Sequence, residues 1–182
     1  MNAATAPDVV LLGNLLVDDI VLRDGRTLMG EPGGAVLHAA LAAALWGARV
    51  GICSVAGTDY PAEALAALAA RGVDLAAVRR LDRTGGRAWL LYEPAVRRTV
   101  HHLDCPSHAD VSPTLADVPP TWLAARVFHL APMPLARQLD LPTAWHQRQA
   151  TTGSCRWIRS NSCAMGHSPP GETCSPISTC SS

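Results

Sequence analysis

Two rhythms of apolar residues alternate along this chain of 182 residues. The first is a near-continuous run at 8–14, DVVLLGN, ending at Gly13, the pattern of a strand covered on both faces. A second apolar segment spans 17–22, Asp24-Gly25 offers a two-residue turn suited to positive φ, and 26–29 predict the returning strand. From 35 to 46 the rhythm becomes helical: Ala dominates, Gly and Pro are missing, and Leu37, Leu41 and Leu45 recur every four residues as one predicted stripe. Gly47 supplies the stop, and 49–56, with the run VGICSVA, predict another fully covered strand.

The same alternation follows once more. PAEALAALAARG predicts a helix that starts near Pro61 and ends before Gly72, with Leu65 and Leu68 on its apolar face. A strand is expected at 78–81. Two strand–helix–strand passages in succession argue for a parallel sheet with helices on its faces. Beyond Asp82 the pattern becomes paired strands, at 87–92 and 97–103, around a Glu93-Pro94 turn. The Pro-rich stretch 106–122 predicts helix only in short pieces, and ARVFHLA at 125–131 predicts one further buried strand.

Composition narrows the partners. The formal net charge is zero and no Lys or Arg run occurs, which gives no footprint for nucleic acid or an anionic membrane surface. The longest apolar stretch is too short for a bilayer, and the first ten residues lack the charged and apolar regions of a signal peptide, so a cytoplasmic protein is expected.

Gly33-Gly34 is the first candidate for chemistry. Following Pro32 and preceding a helix, it lets the backbone approach a ligand without a Cβ, and the N–H groups of a helix start suit hydroxyls or anions. A diglycine before a helix is more often a plain tight connection. The surroundings add to it: Gly33-Gly34, then Ala39, Ala43 and Gly47, then AGTDYP after the strand, resemble the N-terminal signature of the PfkB/ribokinase family of carbohydrate kinases. The resemblance covers roughly residues 8–141. It implies an α/β, ribokinase-like fold: a central, mainly parallel sheet flanked by helices, with a small β lid, and with the C-terminal half of the family fold missing. It implies ATP-dependent phosphoryl transfer to a hydroxyl of a sugar or nucleoside; a homodimer through the lid strands is weighed beside it.

Within that resemblance the acceptor contacts fall on Asp18, Gly33, Gly34 and His38. Asp18 matches the family carboxylate that accepts hydrogen bonds from acceptor hydroxyls, a task suited to its lone pairs and charge. His38 stands where the family has Asn. Asp19, its neighbour on a strand, is expected on the opposite face. Arg87 and Arg98 are weighed as contacts for an acceptor phosphate or carboxylate, with solvated strand charges the commoner outcome. His101 and His102, being adjacent, are a poor metal pair.

The family's base lies in a Gly-Ala-Gly-Asp motif, and this chain has no Gly-x-Gly-Asp and no GxxxxGK[ST]. ATP and Mg2+ belong to the family and are not expected to bind this fragment. A dinucleotide site is disfavoured, because GNLLVDD lacks G-x-G-x-x-G. Residues 143–182 contain no Leu or Val but thirteen Ser and Thr, against ten in the first 142. Residues 1–141 are therefore read as the family-like part, and 142–182 as a Ser/Thr/Cys-rich tail, disordered or produced by a shifted reading frame. Translation of the other frames past codon 141 tests the latter. Cys155, Cys163, His167, Cys174 and Cys180 lack the close pairs of a structural zinc site, and Cys53 and Cys105 read as plain thiols. A non-catalytic binding or dimerisation fragment is the alternative, and an unpaired strand edge is expected where the sheet stops.

Overall fold

The computed structural model describes residues 6–148, 156–159 and 177–179. The first strand, β1 (Val9–Leu12), is followed by an antiparallel pair, β2 (Leu16–Val21) and β3 (Thr27–Gly33). Helix α1 (Ala35–Leu45) leads into β4 (Val50–Ala56), and α2 (Ala62–Ala70) into β5 (Asp74–Arg80). The paired strands are β6 (Gly86–Tyr92) and β7 (Arg97–His101). Two short 3-10 turns, Leu115–Asp117 and Pro120–Ala124, then precede β8 (Val127–Leu130), α3 (Leu135–Arg148), β9 (Arg156–Arg159) and β10 (Ile177–Thr179).

These strands make two sheets. The larger has the order β10-β9-β8-β1-β4-β5, parallel except for β10, and the smaller has the order β3-β2-β6-β7. Side chains that alternate along β1 divide the interior. Leu11 joins Val36, Leu37, Ala40, Ile52 and Leu68 under α1 and α2, whereas Val10 and Leu12 join Cys53, Phe128, Leu130 and Trp122 on the opposite face. Helices and turns thus cover both faces of β4, which is why every one of its residues is buried. The ribokinase-like α/β arrangement expected from the sequence, a mainly parallel central sheet with a small β lid, is present.

Three local expectations change. The four-residue Leu repeat in α1 does not make one buried stripe: Leu37 is buried but Leu45 is 82% exposed. Each i+4 step advances about 40° around a helix of 3.6 residues per turn, so the repeat rotates off the sheet. The strand after α2 begins at Asp74 rather than at 78. The edge of β8 is paired, because β9 lies parallel to it from Val127 opposite Arg156 to Leu130 opposite Arg159.

The compositional boundary at 141 also differs from the packing. Helix α3 runs across it without a break, and Leu141 and Trp145 are each 2% exposed, with the Trp145 ring 4.3 Å from that of Phe128. Pro142 inside this helix costs about 3 kcal/mol. Burying two large apolar side chains returns about 2–3 kcal/mol each, which outweighs it. The tail cysteines and His167 lie outside the described residues. Trp145→Ala is expected to lower stability by about 3–5 kcal/mol, read as a lower urea midpoint at unchanged slope. An unchanged midpoint would contradict this packing.

Candidate functional site

In the large sheet the chain moves from β1 to β4 and β5 on one side, then returns to β8 on the other. The crevice beyond the carboxyl ends of β1 and β8 is therefore the switch point where ligands bind in open α/β sheets. The β1 exit, Gly13-Asn14-Leu15, lies at this end and leads directly into β2. Ser54 Oγ donates to the Gly13 carbonyl at 2.6 Å and ties that exit to β4.

The small sheet brings two of the predicted residues together. Gly33 ends β3 opposite Leu16, two places from the register position of Asp18, and a Cβ on Gly33 would collide with the Asp18 carboxylate. Gly34 precedes α1 with φ 101°, and a Cβ there would strike the Asn14 carbonyl oxygen. Both glycines are needed for the chain to close on itself, so the tight-connection reading and the site reading apply to the same atoms. No side chain caps the N-terminus of α1. His38, on the first turns of that helix, is exposed and near enough to Asp18 to pull its carboxyl down electrostatically.

Asp18 itself is partly buried and has no hydrogen-bond or ion-pair partner among the described residues. Burial raises its carboxyl above the ordinary carboxylate value, with Asp19 adding and with His38 and Arg97 opposing. Tyr60 lines the same region, donating a long bond of 3.4 Å to the Gly33 carbonyl, and burial pushes its phenol up.

Asp19 has the opposite fate. Its side chain is 1% exposed, accepts from Arg87 Nε at 2.6 Å and Nη2 at 2.7 Å, and accepts from the Gly30 amide at 2.9 Å. The Arg87 hydrogen bonds hold its carboxyl below the ordinary value. Arg87 is thus committed to Asp19, whereas Arg98 pairs with Glu93 at 3.0 Å on the exposed surface, the solvated strand charge that is the commoner outcome.

Two features escaped the sequence. Asn14 is 3% exposed; its Nδ2 donates to the His108 carbonyl at 3.4 Å, while its Oδ1 has no partner among the described residues. An Asn directly after the Gly that ends a buried strand is the signal that could have found it. The other is His108, whose Nε2 lies 3.1 Å from His101 Nδ1 and whose imidazole is held down by burial and by His101. His101 shares a cross-strand row with Ala88 and Asp18, which puts it on the Asp18 face of the lid. His102 turns to the Asp19 face, as adjacent strand residues must.

Among the described residues no three His, Cys, Asp or Glu converge as metal ligands. Cys53 is buried and its thiol is pushed up to about 12, which leaves it an inert core residue. What the arrangement offers is a carboxylate, an amide oxygen and an imidazole around a glycine turn, a set that accepts hydrogen bonds from hydroxyls.

The raised Asp18 carboxyl gives a signed expectation. A carboxyl whose value is higher folded than unfolded favours the protonated folded state, so its stabilising contribution is present at low pH and lost as pH rises through the folded value. Asp18→Asn is therefore expected to melt higher than the wild type at pH 7, with the gain shrinking toward pH 4. Equal melting temperatures at pH 7 would contradict the buried, partnerless carboxylate.

No protein-family model matches the chain. A cytidine kinase from Thermococcus kodakarensis is 33% identical over 136 residues, 74% of this chain and 46% of that protein. The crystal structure of a PfkB protein from Polaromonas sp. is similar at a TM-score of 0.60 and 23% identity, over 81% of this chain and 54% of that one. An uncharacterized sugar kinase from Pyrococcus horikoshii, in complex with ATP, is similar at a TM-score of 0.63 and 20% identity, over 83% of this chain and 52% of that one. The chain spans about half the length of the proteins it matches. Sequence and fold together place it in the PfkB/ribokinase family of carbohydrate and nucleoside kinases.

Proposed function

We propose that this chain is the acceptor-binding part of a PfkB-type kinase and holds a sugar or nucleoside by its hydroxyls. The observation that carries this reading is the Asp18 carboxylate, partly buried beside Gly33 and without a partner among the described residues. A group kept in that state at a cost to stability is a functional candidate. Ionised Asp18 accepts from neighbouring hydroxyls, and His38 contacts the same ligand from α1. Gly33 and Gly34 let the chain close tightly enough to set Asp18 and the start of α1 side by side.

The matched cytidine kinase makes a nucleoside the first ligand to try. ATP and Mg2+ are the family's co-substrate and metal, but a Gly-x-Gly-Asp base motif is missing from the sequence, and no metal-ligand cluster occurs among the described residues. Phosphoryl transfer by this polypeptide alone is therefore not part of the reading. No helix among the described residues is long and apolar enough to cross a membrane, and the proposed setting is the cytoplasm. A second reading, a fragment that dimerises through its lid, is favoured by Leu28, Met29 and Val100, which are exposed on β3 and β7.

Calorimetric titration with cytidine and with ribose, beside an ATP-consumption assay with Mg2+, tests the proposal. Binding of at least one of the two without ATP consumption is expected, and Asp18→Ala is expected to weaken it at least about tenfold, the loss of charge-assisted bonds worth about 1.5–3 kcal/mol. Ligand-dependent ATP consumption would contradict the inactive reading. Absence of binding, with a dimer in solution, would favour the second reading.

A further inference from the structure

One carboxylate ties together three strands of the lid and stands beside the residue that follows the fourth. Asp19 lies on β2; it accepts from the Gly30 amide on β3 and from two Arg87 nitrogens on β6. His102, directly after β7, stacks on Trp89 with ring centroids 5.2 Å apart. Its Nε2 stands 3.2 Å from Asp19 Oδ2, without the alignment of a hydrogen bond.

The contact with Gly30 is the one with consequences for the crevice. The β2–β3 pairing shifts between Asp18 and Ile20: Asp18 faces Glu31, Ile20 faces Leu28, and Met29 and Gly30 together stand opposite Asp19. This is a bulge, with Gly30 at φ 74° in the left-handed conformation that such a bulge uses. The extra residue sets where the rest of β3 falls. With it, Glu31 pairs with Asp18 and Gly33 with Leu16, and Gly34 arrives against the Asn14 carbonyl. Without it, Glu31 to Gly33 would slip by one place and present their opposite faces.

We propose that Asp19 is a positioning residue: by capping the Gly30 bulge it fixes the register that brings Gly33 and Gly34 to Asp18. Its consequence for ligand rests on the acceptor-binding reading, but its effect on register does not. Arg87 orients the carboxylate from β6, and with 30% of its side chain exposed it keeps access to water. Loss of Asp19 and loss of Arg87 should therefore loosen different strands. Removing the carboxylate strips the bulge of its acceptor, while removing the guanidinium leaves the Gly30 bond in place.

Hydrogen exchange by mass spectrometry on the full chain separates these outcomes. In Asp19→Ala, exchange in 28–34 is expected to rise at least about tenfold over wild type, with 9–12 and 50–56 unchanged, as for a local opening. In Arg87→Gln, 86–92 is expected to loosen while 28–34 stays within about threefold of wild type. If Asp19→Ala does not fold, Asp19→Asn replaces it, with exchange in 28–34 expected to rise about threefold because one acceptor oxygen remains. Unchanged exchange in 28–34, or a uniform rise that includes 50–56, would overturn the proposal. Cytidine titration of the same variants reads the consequence for ligand: weakened binding in Asp19→Ala with 50–56 still protected is expected. A wild type that binds neither cytidine nor ribose would defeat the acceptor-binding reading and leave the exchange pattern to decide Asp19.

Discussion

Asn14 and Gly34 meet where there is no space for a side chain. The carbonyl oxygen of Asn14 occupies the place that a Cβ on Gly34 would take, and the φ of 101° is one that L side chains rarely adopt. Through that contact the exit of β1, the end of β3 and the start of α1 become neighbours, although they are twenty residues apart in sequence. Everything at the crevice follows from it: Asp18 is carried over Gly33, His38 is delivered on the first turns of α1, and Asn14 is buried with one oxygen unanswered.

Two adjacent carboxylates then separate by strand alternation alone. Asp19 points to the side where Arg87 and the Gly30 amide are waiting, and its charge is fully answered. Asp18 points to the crevice, where the described residues answer nothing, and burial works against its charge. A paired charge holds a structure in one arrangement; an unpaired one leaves stability unclaimed that a bound molecule can recover. The lid is thus tied together on one face and, under the proposed function, open to a ligand on the other.

Much of this was legible in the sequence because the relevant signals are local. The covered strands β1 and β4 and the stops at Gly47 and Gly72 follow from residue type and spacing, whereas the turn at Asp24-Gly25 holds three residues, Arg23 to Gly25, between the paired Leu22 and Arg26 instead of the two expected. The placement of Asp18 near Gly33 came from a resemblance, not from periodicity. Less legible were features settled across long separations. The face of α1 was misjudged because Ala surrounds the helix and a four-residue repeat drifts around it. Arg87 reads as a candidate ligand contact in the sequence because nothing in a linear reading pairs it with a carboxylate sixty-eight residues earlier. The composition of the tail suggested that packing ends at Leu141, yet Trp145 supplies a large apolar surface that an inventory of Leu and Val does not count.

The central claim is that hydroxylated ligands enter at the diglycine crevice. Amide chemical shifts of the labelled chain, followed through a cytidine titration, test it most directly. Saturable shifts at Asn14, Asp18, Gly33, Gly34 and His38 are the predicted result. Shifts confined to the shallow depression at the lid tip, lined by Leu22, Arg23, Asp24, Arg26 and Tyr92, would contradict it.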